Sequence, residues 1–435
     1  MNFWREAANS RVILLSIIVI LMFATYICIK IHYKRYLFSL FNISIFTEIL
    51  LIFLLPFMYE DKAWLALGQP SAAPFYSYLN KNIEVNIIGM IVFYLVLIIS
   101  EFRMFCSKSK IVSAFCKNID VKAIGIIFFV SVIGWYTIVF IYNGTLPLIN
   151  GRRDFYKDSK LSNVLYIFFS SIVPVLTSYY GLLFCRIKSR KNFFYLMIGL
   201  MTCLFSGNRS DLLTAVALPI MLVIIYKHSK NRISGTLKII VGMTFILIVG
   251  LSLALFRSGN SANFISIIQE FIYGNTFCDM RDGAFILFGY GRMYDTYLYG
   301  KTYLAGLISF VPSFISEYKR TWGWGYFSTA TLFGMPNHYG FRGGSYCEAY
   351  LNFGYIGVII SAIILGRWMA YRERLFESFL KGKVYDFEKK YLAICILSPV
   401  FSFCSYSNGL RSFYISGGTL IGASILLRVF RKNRD

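Results

Sequence analysis

Residues 336–366 read PNHYGFRGGSYCEAYLNFGYIGVIISAIILG, and the class of the protein turns on them. A polar, glycine-broken opening carries His338, Arg342 and Glu348. It gives way to an uninterrupted apolar run of membrane length. Ser345, Glu348 and Asn352 are spaced by three and four residues, so on a helix they share one face. A polar stripe then descends from the surface into the bilayer. An ionisable residue at the mouth of a membrane helix is costly unless it is paired or faces a wet cavity, which makes Glu348 a candidate functional residue. The plainer alternative is a hydrated helix start, with the carboxylate among headgroups or water.

The rest of the chain agrees with a membrane solvent. Of 435 residues, 57% are hydrophobic, the mean hydropathy is +0.60, and long apolar runs recur throughout. The expected fold is an all-α polytopic membrane protein. About eleven spans are expected, at residues 12–29, 37–59, 86–102, 123–142, 164–185, 193–206, 211–226, 239–256, 346–366, 391–406 and 413–428. The first run is followed by basic residues and reads as a retained span, not a signal peptide. This divides the chain into spans over 1–256, an external loop subdomain over 257–345, and further spans over 346–435.

The net charge of +23 could suggest nucleic acid, but its distribution does not. On alternate sides of the expected spans, 27 of the 44 Lys and Arg residues fall on one side and 17 on the other. The richer side consists of short, dense loops such as RIKSRK and RKNRD, and is cytoplasmic by the positive-inside rule. No nucleic-acid partner is expected; membrane lipids are. Nine cysteines without a CxxC pair, and three dispersed histidines, predict neither a metal site nor a disulfide framework. No phosphate-loop, dinucleotide or HExxH motif is present, so no cofactor is expected.

The external side is poor in basic residues, yet the ones it has are clustered. NGTLPLINGRRDFYKDSKLSN carries Arg152 and Arg153 side by side. SGNRSD places Arg209 in a tight turn between two short spans, where Asp211, a bound anion or phosphate headgroups are its candidate partners. Arg411 holds the equivalent place in SYSNGLRSF. The long external segment is rich in Tyr, Trp, Phe and Gly, as in GYGRMYDTYLYGKTYLAGL and KRTWGWGYFS. Rings interleaved with polar groups suit sugar faces; they also suit an interfacial aromatic belt. LAGLISFVPSFI is too short to span and is broken by Pro312, so it reads as a re-entrant or interfacial helix. Glu48, inside the second span, reads as a proton-coupling site or as the partner of a polar group on a neighbouring helix.

Taken together, TLPLINGRRDFY, SGNRSDLL, YGKTYLAGLISFVP and GGSYCEAYLNFGYIGV resemble the Wzy-type O-antigen and capsule repeat-unit polymerases of bacteria. The resemblance covers roughly residues 144–366. It implies a GT-C-like glycosyltransferase that needs no metal. The implied substrates are undecaprenyl-pyrophosphate-linked oligosaccharides, joined at the periplasmic face of the inner membrane, and a chain-length regulator is an implied partner. Two rivals stand beside it. O-antigen ligases share the architecture and use a histidine in the large external loop, where His338 sits. A flippase or exporter would carry lipid-linked glycans without making bonds, but favours symmetric halves and small external loops.

Within this resemblance the residues take roles. The donor sugar leaves behind a charged pyrophosphate, and arginine binds phosphate oxygens in a bidentate fork. Arg152, Arg153, Arg209, Arg342 and Arg411 are the expected pyrophosphate- and glycan-binding set. Glu348 is the expected catalytic base toward the acceptor hydroxyl, with His338 second. Direct displacement at the anomeric carbon predicts inversion.

Overall fold

The structure is a computed structural model that describes residues 10–33, 73–102, 110–150, 160–207, 278–335, 340–380, 387–401 and 406–432, with isolated positions between 211 and 272. In chain order the helices are α1 (Ser10–His32), α2 (Ala73–Phe102), α3 (Lys110–Asn118), α4 (Val121–Asn143), α5 (Pro147–Asn150), α6 (Lys160–Ile187), α7 (Arg190–Phe205) and α8 (Asp279–Met293). They continue as α9 (Lys301–Leu307), α10 (Glu317–Trp322), α11 (Trp324–Tyr326), α12 (Gly344–Leu380), α13 (Phe387–Leu397), α14 (Tyr406–Phe413) and α15 (Thr419–Lys432). Wider π-helical turns at Phe327–Thr331 and Tyr414–Gly418 lead into or link them. No strand occurs among the described residues.

Among the described residues, six helices are long and apolar enough to cross a membrane: Val12–His32, Phe75–Phe102, Lys122–Tyr142, Ser162–Ile187, Gly344–Phe379 and Gly409–Phe430. They overlap six of the expected spans, with Phe75–Phe102 beginning eleven residues before the expected 86 and Gly344–Phe379 running thirteen beyond the expected 366. The expected spans at 37–59, 211–226 and 239–256 lie almost wholly outside the described residues, as does Glu48. The expected span at 193–206 is present as Arg190–Phe205, but at 16 residues is short for a crossing. The one at 391–406 is corrected: its helix, α13, ends at Leu397 after 11 residues and turns.

The chain forms two compact units. One comprises residues 1–107, 268–377 and 399–411; the other comprises residues 108–267, 378–398 and 412–435. In the second unit, α4 starts at Asp120, whose carboxylate accepts from the Lys122 amide at 2.8 Å, and stops at Gly144 in the left-handed conformation. Its core joins Trp135, Ile138 and Val139 to Tyr166 of α6. Tyr180 of α6 stacks on Tyr195 of α7 at 4.4 Å, and the Ser178 and Tyr391 hydroxyls hydrogen-bond at 2.6 Å.

The first unit carries the quoted stretch. Its α2 has 30 residues, about 45 Å of helix against a hydrocarbon core of about 30 Å. The surplus is the polar first turns, which pack on α8: Asn82 donates to the Met280 carbonyl at 3.0 Å, and Phe75 meets Phe285 at 5.2 Å. Glu373 on the far half of α12 is buried against α1, accepting from Tyr26 and Lys30 at 2.6 Å each.

The expectation of an uninterrupted helix through 366 is corrected. α12 is longer, and it breaks at Phe353 (φ −142°, ψ 17°) and Gly354 (φ 61°, ψ −151°). Gly354 has a backbone that L side chains rarely adopt, and a Cβ there would lie 2.7 Å from the Tyr297 hydroxyl. The carbonyls released by the break are not left bare. Leu351 accepts from the Leu298 amide at 2.9 Å and Asn352 from the Tyr299 amide at 3.0 Å. The LAGLISFVPSFI segment forms α9 and then turns, with Leu307, Phe310, Phe314 and Ile315 exposed.

Candidate active site

The polar face read from the sequence exists, and it points inward. Ser345, Glu348 and Asn352 are each 0% exposed. They lie on the Gly344–Asn352 arm of α12, before the break. Tyr346 covers α2 on this arm, where its ring would meet a Cβ on Gly89 at 2.8 Å. The Ser345 hydroxyl has no hydrogen-bond partner among the described residues. Asn352 is fully used: its amide nitrogen donates to Thr302 Oγ1 at 2.7 Å and to the Glu348 carbonyl at 2.8 Å. Its Oδ1 accepts from the Gly300 amide at 3.0 Å. A single side chain thus ties the Leu298–Lys301 turn, the helix break and the backbone of Glu348 together.

Arg342 stands just before this arm. Its backbone amide donates to Asp282 Oδ2 at 3.0 Å and its guanidinium to Asp279 Oδ2 at 3.0 Å. The other oxygen of Asp282 takes two bonds from Arg281, at 3.1 and 3.0 Å. The start of α8 is therefore an ion-paired clamp on the entry to α12, and acidic residues in a first helical turn are stabilised there by the helix dipole. The Arg342 side chain is still 44% exposed, against 15% for Asp279. Burial raises the proton affinity of Asp279, while the positive charge of Arg342 pulls it down. Asp279 Oδ1 is buried and has no hydrogen-bond partner among the described residues.

Arg411 belongs to the same unit and is half-buried. Its charge, after burial, is the second cause that lowers Lys319 from its ordinary range to about 8. Lys319 Nζ donates to the Ser309 carbonyl at 2.7 Å and to that of Val311. Two cations from distant parts of the chain thus influence each other within the first unit, an arrangement suited to an anion.

Of the expected site residues, Glu348, Arg342 and Arg411 are described and share one unit. His338, Arg152, Arg153 and Arg209 lie outside the described residues. Sequence reading missed Asp279, Asp282 and Lys319. The run CDMRDG, with two acids opening an amphipathic helix, was the available signal for the first two; nothing in KRTWGW marks Lys319 as lying near Arg411.

Comparison with known proteins gives one family. The family model described as O-antigen polysaccharide polymerase Wzy matches residues 3–387. No curated protein and no solved structure matches the chain.

Proposed function

We infer, from a chain that belongs to the O-antigen polysaccharide polymerase Wzy family, how such a polymerase works with these residues. The protein is a multi-pass membrane enzyme of the glycosyltransferase-type polymerases, acting on lipid-linked oligosaccharide repeat units. The ligase and the exporter are not favoured by this membership.

The finer reading is ours. The lipid carrier is undecaprenyl pyrophosphate, the membrane is the bacterial inner membrane, and the site faces the periplasm. The chain has about eleven spans in a GT-C-like arrangement, with 257–345 as its external subdomain. A chain-length regulator works beside it. The distribution of Lys and Arg and the length of the external segment support this reading.

In the proposed reaction an acceptor hydroxyl attacks the anomeric carbon of the donor sugar. The bond from that carbon to the pyrophosphate oxygen breaks, and the carrier leaves with the electron pair. The hydroxyl proton passes to Glu348. Arginines aimed at the departing oxygens stabilise charge that develops only in the transition state, which requires no metal. Arg342 and the Arg411–Lys319 pair supply that charge from the first unit. Arg152, Arg153 and Arg209 stay in the set on their external, clustered positions, and His338 remains the second candidate base. The product linkage is inverted relative to the donor.

The observation that carries the site is Glu348: a carboxylate with no solvent exposure at the mouth of a membrane helix, beside an unbonded serine hydroxyl. Charges are rarely kept in such places without a task. The test is the surface polysaccharide of a deletion strain, complemented with wild type or with Glu348→Gln. Wild type is expected to restore the ladder of repeats, and Glu348→Gln to leave core bearing a single repeat. A full ladder from a stably inserted Glu348→Gln removes Glu348 from the mechanism.

A further inference from the structure

Residues Leu298–Lys301 form a tight turn closed by the Lys301 amide on the Leu298 carbonyl at 3.1 Å. Both central residues are left-handed: Tyr299 has φ +47° and Gly300 φ +87°. Glycine, asparagine and aspartate ordinarily occupy such positions, because a Cβ there crowds the following carbonyl. A tyrosine is strained in this place. The turn cannot relax, since the amides of Leu298, Tyr299 and Gly300 are all bonded to Leu351 and Asn352. Strain held by its surroundings points to a use.

Packing inside the protein is not that use. Tyr299 is 70% exposed, so its ring gains little from burial. Its ring neighbour is Tyr297, 6.5 Å away and at 88°; Tyr297 in turn meets Tyr350 at 6.2 Å and 85°. The two exposed rings meet nearly at a right angle, with Tyr299 presenting the more open ring and Tyr297 backed by Tyr350 and by Gly354. The corner is hung on Asn352, which also bonds the Glu348 carbonyl.

We propose that Tyr299, with Tyr297, is a sugar-binding subsite that stacks on a pyranose ring of the glycan. This rests on the reading above that the chain handles a lipid-linked glycan. A pyranose offers a face of C–H groups to the ring and a rim of hydroxyls to the phenol, and a corner of two rings fits both. A membrane-interface belt is the rival for any exposed tyrosine. A belt tyrosine is set by its depth at the membrane–water interface, which asks for no particular backbone conformation, so a strained, hydrogen-bonded turn is superfluous there.

The strain makes a clean test. Tyr299→Gly and Tyr299→Asn relieve the backbone while removing the ring, so the full-length protein in lipid nanodiscs should keep or raise its Tm. The probe is the oligosaccharide released by mild acid from the strain's own lipid-linked repeat units. Both variants are expected to bind it about tenfold more weakly and to shorten the ladder in the complemented strain, while Tyr299→Phe retains most of each. Wild-type affinity and ladder in Tyr299→Gly overturn the proposal. A lower Tm in both variants also overturns it, because the ring is then structural. Unchanged affinity, with activity lost in vesicles but kept in detergent, assigns the ring to lipid and overturns it as well. If wild type neither binds the oligosaccharide nor restores a ladder, the polymerase reading itself falls; failure of the variants alone leaves that reading standing.

Discussion

Two buried glutamates stand on α12, one on each side of its break, and they do different things. Glu373 is 7% exposed and receives two short bonds, from Tyr26 and Lys30, with Lys30 also over the Tyr26 ring at 5.1 Å. Its charge is matched, and the contacts join α1 to α12. Glu348 lies on an arm whose polar atoms are spent otherwise. Asn352 binds the backbone of Glu348 and the Leu298–Lys301 turn, and the Ser345 hydroxyl has no hydrogen-bond partner among the described residues. Burial alone therefore does not mark a catalytic acid. What separates the two is position: Glu373 joins α1 to the far half of α12, and Glu348 lies before the break, on the arm that Asn352 ties to the Leu298–Lys301 turn.

The sharpest break of this comparison is functional. Glu348→Gln should cost about 10²–10⁴-fold in polymerisation rate, the usual worth of a general base, with Tm little changed. Measured on the protein in nanodiscs with lipid-linked repeats, a loss under threefold would put Glu348 on the same footing as Glu373. Next in size, Glu373→Gln should destabilise by about 3–5 kcal/mol, because Lys30 is left as an uncompensated buried charge. Adding Lys30→Met should recover most of that; a double variant as unstable as the single one contradicts the matched pair.

A smaller effect concerns what holds the Glu348 arm in place. Asn352→Ala removes its bonds to the Gly300 amide and to Thr302 Oγ1 and should cost about 2–3 kcal/mol. Thermal unfolding reads that cost, and an unchanged Tm would mean that the turn is held by its backbone bonds alone.

The smallest effect is with pH. The folded protein holds the Lys319 proton only up to about 8, whereas the unfolded chain holds it to about 10.4. Between these values the unfolded state binds more protons, so stability rises with pH. Lys319 is only partly buried, and the gain should stay within about 1 kcal/mol. Lys319→Met should flatten the slope between pH 7.5 and about 9.5, and an identical slope in the variant would remove Lys319 as its source.

Much of the architecture was legible beforehand because its cause is local. Apolar runs of membrane length have one low-cost state in lipid, the helix, since each backbone amide must find its partner within the run. The face shared by Ser345, Glu348 and Asn352 follows from helical spacing alone, and all three are buried. The break at Phe353–Gly354 was not legible. NFGYIG permits a continuous helix, and what stops it is the Tyr297 hydroxyl and the amides of residues 298–300, brought up from a distant part of the chain.

The same division holds for charge. That the chain is a membrane protein with its Lys and Arg gathered unequally on alternate sides of its spans was written in composition and in the order of those residues, because the bilayer sorts residues by type whatever their contacts. Which arginine is paired, and with what, is a matter of a few ångströms between residues far apart in sequence. The Asp279 clamp on Arg342, the nearness of Lys319 to Arg411, and the bonds from Asn352 to a turn that strains Tyr299 come from chain folding. No local pattern encodes them, since each partner satisfies its own helix or turn equally well without the other.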